Sequence, residues 1–226
     1  MRLDDRAAAR LRELNVPPGP LFVCDVDEVV LIFVAALRDY LASQGLSLRT
    51  DGFRLHGNVL DSNGGVVPSA QVTQLLDDFF ANQERWQRPV EDAHAALQVL
   101  EQHGTVVLLT AMRHGHFDAR RRLLDRHGIR QPLVTTEGSK GAALASLSHD
   151  GPIVFIDDLP ANHADVLGQV PGVTAIHLMA DTEFRMHLPS LPPDVHAADD
   201  WVHAVVIALI AIGNNSTSVA SVTTQA

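Results

Sequence analysis

Five strand-length apolar runs alternate with helical stretches along most of the chain, and this rhythm constrains the fold more than any other feature. The runs are "LFVCDV" at 21–26, "TVVLLT" at 105–110, "PLVTT" at 132–136, "PIVFID" at 152–157 and "VTAIHLM" at 173–179. Each is short, rich in β-branched residues and bounded by turn or helix signals. Between them, "VEDAHAALQVLEQHG" and "HFDARRRLLDRHG" each close on a glycine that reads as a helix C-cap, and "GSKGAALASLS" follows the third run. Strict alternation predicts an α/β fold, a doubly wound, mostly parallel sheet with helices on both faces.

One interval breaks the rhythm. Nearly 80 residues separate the first run from the next, too many for a single crossover helix, so an insertion is expected at 30–87. Its sequence predicts a helix from "VVLIFVAALRDYLASQG", a Gly- and Asn-bearing middle, and a second helix from "AQVTQLLDDFFANQERW". This reads as a small, mostly helical cap that leaves the core directly after the first strand. "MRLDDRAAARLREL" predicts a short amphipathic helix, without the apolar stretch of a secretory leader. "VVIALIAIG" near the other end is too short to span a membrane and predicts a helix packed on the core. The small, polar residues of 213–226 predict a flexible tail.

Composition narrows the function. A formal net charge of −10 argues against general nucleic-acid binding, and any anionic ligand must meet locally concentrated positive charge. Cys24 is the only cysteine, which rules out an intrachain disulfide and fits a cytoplasmic setting. A cysteine phosphatase loop needs an arginine six positions on, where Val30 stands, so Cys24 reads as core packing. His114 and His116 lack further ligands in register for a metal site, and "SHD" at 148–150 reads as a turn.

In doubly wound sheets ligands bind beyond the carboxyl ends of the strands. The first run ends in Asp25 and Asp27, the second in Thr110 and the fourth in Asp157 and Asp158; Lys140 follows the third. Residues i and i+2 of an extended strand share a side, and a divalent cation would turn repelling acids into ligands. Hard oxygen ligands suit Mg²⁺, commonly held by a few carboxylates together with a substrate phosphate. Lys140 is the only lysine beside sixteen arginines. Its compact ammonium can approach a carboxylate and a phosphoryl oxygen together, which a planar guanidinium does less readily.

In order and spacing, these elements resemble the motifs of the haloacid dehalogenase (HAD) superfamily. "DVDEV" matches the hhhDxDx[TV] signature, "VVLLTAM" the strand ending in Ser or Thr, "SKGAAL" the lysine motif and "VFIDDLPAN" the acidic pair. The resemblance covers about residues 20–180. It implies a Rossmann-like core of residues 1–29 and 88–212, with the 30–87 insertion as the family's small helical cap.

The resemblance further implies a phosphoric monoester hydrolase that uses Mg²⁺ and an aspartyl-phosphate. Asp25 would be the nucleophile and Asp27 the general acid and base; an acid at position 27 disfavours a halide substrate, whose departure needs no proton. Thr110 and Lys140 would bind and neutralise the phosphoryl group; apart from the resemblance, Arg113 is expected to reach its substituent because it follows Thr110 so closely in sequence. Asp25, Asp158 and the backbone carbonyl of Asp27 would hold the metal. Asp157 would stand behind them, paired with Lys140, and Asn162 would assist. The implied partner is a small phosphorylated metabolite, a nucleotide or phosphosugar among the options, with no nucleic acid or membrane, for a monomer or homodimer. Two other readings share these residues: a phosphomutase or phosphotransferase, and a non-catalytic binding protein on the same fold, whose mark would be degraded motifs.

Overall fold

The computed structural model describes residues 2–49, 52 and 54–222, with side chains described through residue 213. In chain order the elements are α1 (Asp5–Glu13), β1 (Leu21–Cys24), α2 (Val34–Ser43), β2 (Ser47–Leu48), β3 (Val59–Leu60), α3 (Ser69–Ala81) and α4 (Gln83–Trp86). Then come α5 (Ala93–Glu101), β4 (Thr105–Ala111), a 3-10 turn at His114–His116, α6 (Phe117–Arg126), β5 (Leu133–Thr136) and α7 (Lys140–Ala145). The rest comprises β6 (Ile153–Asp157), α8 (Pro160–Gln169), β7 (Thr174–His177), α9 (Thr182–Arg185), β8 (Val195–Ala197) and α10 (Trp201–Val222).

Six strands form one sheet in the order β5-β4-β1-β6-β7-β8, every pairing parallel. The chain builds from β1 outward through β4 and β5, then returns to the other side of β1 to lay down β6, β7 and β8. The strand order therefore reverses beside β1, and the crevice at the carboxyl ends of β1 and β6 is where such a sheet binds ligands.

β1 is buried on both faces, as a central parallel strand must be. Phe22 and Cys24 join the cluster containing Leu97 of α5, Leu123 and Leu124 of α6 and Trp201 of α10. Leu21 and Val23 join the opposite cluster, with Leu11 of α1, Leu144 of α7 and Val166 of α8. The expected strands, the N-terminal helix and the two-faced sheet are all present. β8 was not expected: "VHA" is three residues with a half-buried valine, too short to show periodicity. α10 continues through the first ten residues of the segment expected to be flexible, and residues 223–226 lie outside the described residues. No described helix is long and apolar enough to cross a membrane.

Three local expectations are corrected. The helix expected from Val29 begins at Val34, because Val29, Val30 and Leu31 turn back into the sheet's core. The helix expected across 70–86 breaks at Asn82 into α3 and α4. Gly128 is a left-handed terminus after α6, at φ +76°, but Gly104 is not a left-handed cap. A Cβ on Gly104 would lie 2.3 Å from the Pro20 carbonyl oxygen, so this glycine permits two backbones to touch where β4 enters the sheet.

The residues between β1 and α5 carry a core of their own, with Leu37, Tyr40, Leu41, Val59, Val72 and Phe79 packed together. Phe79 is its centre, edge-on to Phe33 at 5.6 Å and tilted against Tyr40 at 5.7 Å. At the far end of the chain, Trp201 donates from Nε1 to the Val29 carbonyl (2.8 Å), tying α10 to the loop behind the two aspartates.

Gly104→Ala should destabilise the protein by about 1–3 kcal/mol through overpacking. Gly168→Ala, where an added Cβ meets nothing within 4 Å inside α8, should be neutral or stabilise by up to about 1 kcal/mol. Urea unfolding of the two variants checks the contrast.

Candidate active site

The carboxyl end of β1 is fixed by the ladder itself, with Asp25 N donating to the Ile156 carbonyl at 2.8 Å. That register sets the Asp25 side chain beside the last residue of β6. Lys140, the first residue of α7, fills the space between them: its Nζ lies 2.7 Å from Asp25 Oδ1 and 2.7 Å from Asp157 Oδ2. It is 1% exposed. The helix start that delivers it is built by Ser139, whose hydroxyl accepts from Ala142 N (2.8 Å) and donates to Asp165 of α8 (2.7 Å). Gly141 lets α7 touch α8, since a Cβ there would lie 2.5 Å from the Asp165 carbonyl oxygen.

Asp157 has both oxygens committed. Oδ2 takes Lys140, while Oδ1 accepts from Leu159 N (2.9 Å) and Asn162 Nδ2 (2.8 Å). Asp25 and Asp158, unlike Asp157, line a cavity of about 330 Å³ with Thr110 and Asn162. Thr110 Oγ1 is buried and has no hydrogen-bond partner among the described residues. A buried hydroxyl without a partner carries a desolvation cost that a ligand oxygen would remove.

Electrostatics here favour a cation. Burial pushes Asp25 up to about 7, against the pull of Lys140 and with further upward pressure from Asp157 and Asp27. Asp158 is raised by burial, then by Asp157 and Asp25. Lys140 is lowered by its burial but raised more by Asp157 and Asp25, so the ammonium stays charged. One ammonium faces three buried acids, and the upward shifts of Asp25 and Asp158 reflect the cost of ionising them there without a further cation. Each of Asp25, Asp157 and Asp158 has a ligand atom within 4.8 Å of the others'. This all-oxygen donor set fits a hard divalent cation such as Mg²⁺.

Asp27 lines the same cavity but stands outside the trio. Its oxygens accept from Arg120 Nη2 at 3.0 and 3.1 Å, and Oδ1 also accepts from Gln87 Nε2 at 2.8 Å. Arg120 is fully buried, and its Nε donates to Gln83 Oε1. Arg113 is directed elsewhere: its Nη1 pairs with Asp77 at 2.9 Å, beside an adjacent cleft that also contains His116 and His56. It does not line the cavity of Asp25. His114 contacts Asp4 and Thr135 while His116 contacts Asp77, so the two histidines serve different partners. Cys24 is buried in the sheet, and burial raises its thiol out of the reactive range.

Sequence reasoning missed Arg120, Gln87 and Glu28. Arg120 falls at helical spacing with Leu123 and Leu124, on the buried face of α6, and an arginine at a core position was the available signal. Glu28 adopts a left-handed φ of 62° and is buried. Its carboxylate accepts from Phe33 N (2.8 Å) and Val34 N (2.6 Å) at the start of α2, and from Asp181 N (2.7 Å) after β7. It thus caps one element and pins another.

Arg120→Met, removing one partner from a buried ion pair, should cost about 3 kcal/mol in urea unfolding. Asp25→Asn should show a pH-dependent benefit in metal-free protein. Its carboxyl ionises near 7 when folded but at its ordinary value when unfolded, so the folded chain carries no penalty below about pH 4. The penalty grows as pH rises through that window and is complete above about 7. The variant should therefore gain stability relative to wild type as pH rises from 4 to 8. Unfolding of both proteins in EDTA at each pH measures it, and parallel pH profiles would contradict it.

No family model matches the sequence, and no curated protein matches it. Among solved structures, the chain superposes on magnesium-bound YfnB of Bacillus subtilis, described as a HAD-hydrolase, with TM-score 0.59 and 14% identity, covering 85% of this chain and 99% of that one. A haloacid dehalogenase-like family hydrolase from Xanthomonas campestris gives TM-score 0.58 and 12% identity over 88% and 99%. A HAD family hydrolase from Deinococcus radiodurans, with bound phosphate and sodium, gives TM-score 0.51 and 18% identity over 86% and 96%. At these identities the likeness concerns architecture, and it agrees with the sheet order and the motif placement: the chain has the haloacid dehalogenase-like fold.

Proposed function

We propose that the chain is a Mg²⁺-dependent phosphatase that hydrolyses a small phosphorylated metabolite through a phosphorylated Asp25. The observation that carries this reading is the buried Lys140 ammonium held at 2.7 Å by both Asp25 and Asp157, beside Asp158 and the unpartnered Thr110 hydroxyl at the floor of one cavity. Positive charge fixed beside a carboxylate nucleophile offsets the repulsion it meets in approaching a phosphate.

A bound Mg²⁺ would neutralise phosphoryl charge, with Asp25, Asp158 and the Asp27 carbonyl as its protein ligands and Asp157 steadying Lys140 behind them. In the first half-reaction a carboxylate oxygen of Asp25 bonds to phosphorus as the bond to the leaving oxygen breaks, and that oxygen takes the Asp27 proton. Water then attacks phosphorus and gives a proton to Asp27, the bond from Asp25 to phosphorus breaks, and inorganic phosphate is released. Arg120 and Gln87 fix the position of the Asp27 carboxyl; the guanidinium favours its ionised form, so the Arg120 contact must slacken for Asp27 to carry the proton that the leaving oxygen takes. Thr110 donates to a phosphoryl oxygen. Arg113, paired with Asp77, is left out of this assignment.

Residues 30–87 would act as a cap over this cavity. Support comes from their separate hydrophobic core and from Phe33, Leu55, Leu76 and Phe80, which line the cavity with the aspartates. Magnesium-bound YfnB is described as revealing interdomain movement, in keeping with such a division.

Release of inorganic phosphate from a panel of phosphate esters tests the proposal, with Mg²⁺ and with EDTA. Wild type should turn over at least one ester only with the metal, and Asp25→Asn should lose on the order of 10³-fold or more in kcat. Release that survives Asp25→Asn would overturn the assignment of the nucleophile. Phosphoryl transfer to a second hydroxyl without net release would replace the phosphatase with a mutase.

A further inference from the structure

Resting on the phosphatase reading, the walls of the Asp25 cavity narrow its substrate class. Its apolar lining includes Phe33 and Leu55, Leu76 and Phe80 of α3, and Met179 and Phe184 from the segment after β7. Phe33 and Phe80 stack on one another, with ring centroids 5.8 Å apart and an interplanar angle of 12°. Among the described lining residues there is no lysine, arginine or histidine. Lys140 meets the cavity only through Asp25, at the phosphate end.

Beyond Asp25, Asp158 and Thr110 at the phosphate end, the polar side chains lining the cavity already have partners. Glu28 uses both carboxylate oxygens on backbone N–H groups, Asp27 accepts from Arg120 and Gln87, and the Asn162 amide donates to Asp157. A second anionic group on the substrate would meet carboxylates and hydrocarbon, with no cation among the described lining residues to offset it. Sugar hydroxyls would lose water and find few open partners. At about 330 Å³ the space lies at the small end for ligand cavities.

We infer that the substrate is the phosphate monoester of a small, uncharged, predominantly apolar alcohol, aliphatic or aromatic, whose phosphate is its only charged group. Carboxylate-bearing phosphates, bisphosphates and phosphosugars are disfavoured by the same walls.

Binding and turnover are measured separately on the full chain with Mg²⁺. By calorimetry, methyl-, propyl- and pentylphosphonate should bind with affinity rising roughly fourfold per added methylene until the cavity is filled, and pentylphosphonate should exceed phosphonoacetate at least tenfold. Leu76→Arg, which sets a guanidinium in the apolar wall, should erase or invert that preference. In turnover, pentyl and phenyl phosphate should exceed glycerol 3-phosphate and phosphoglycolate at least tenfold in kcat/KM. A flat chain-length series, tighter binding of phosphonoacetate, or no binding by any phosphonate would overturn the inference. Should affinity rise with chain length while no ester is hydrolysed, the phosphatase reading fails and the apolar ligand class stands.

Discussion

Everything at the carboxyl edge of the sheet depends on the Lys140 ammonium lying between Asp25 and Asp157. Three buried acids converge there because two neighbouring strands, β1 and β6, end at one point. Without a cation among them their mutual repulsion and desolvation would oppose the strand register that brings them together. Lysine supplies that charge as a small, rotatable group with three donors, at the first position of a helix whose cap and close packing leave it little freedom. One arrangement thus reconciles a fully buried strand with an acidic end, and it leaves Asp25 and Asp158 facing a space that a phosphate and a metal can fill.

A second charged pair links this edge to the inserted segment. Asp27 is gripped by Arg120 from α6 and by Gln87 from the segment's return, while Gln83 of α4 receives Arg120 Nε. A shift of the insertion relative to the sheet must disturb these contacts. The position of the Asp27 carboxyl is therefore tied to the placement of that segment. Glu28 works in the same place by different means, joining α2 to the segment after β7 through backbone N–H groups.

The parts of this site readable in the sequence are those that follow from strand periodicity. Asp25, Thr110, Lys140, Asp157 and Asp158 stand at the ends of apolar runs, and a parallel sheet aligns such ends without further information. Arg120 and Gln87 escaped because their role depends on how helices outside the sheet dock, which spacing along one chain does not encode. Arg113 misled for a related reason: proximity to Thr110 in sequence suggested the substrate, but Asp77 of α3 offers a nearer carboxylate. Gly104 has the position of a helix stop and the work of a close contact, and only the approach of Pro20 distinguishes the two.

The bond from Trp201 to the Val29 carbonyl has a consequence for the order in which the protein acquires its site. β1 emerges early in synthesis, yet its neighbours in the finished sheet are β4 and β6, and the loop behind its aspartates is fastened by a residue more than 170 positions later. A nascent chain that has reached only β4 or β5 holds half of the crevice and an untethered loop. The acids of the crevice can come together only once β6 has been made, and the loop behind Asp25 and Asp27 is fastened only when α10 follows.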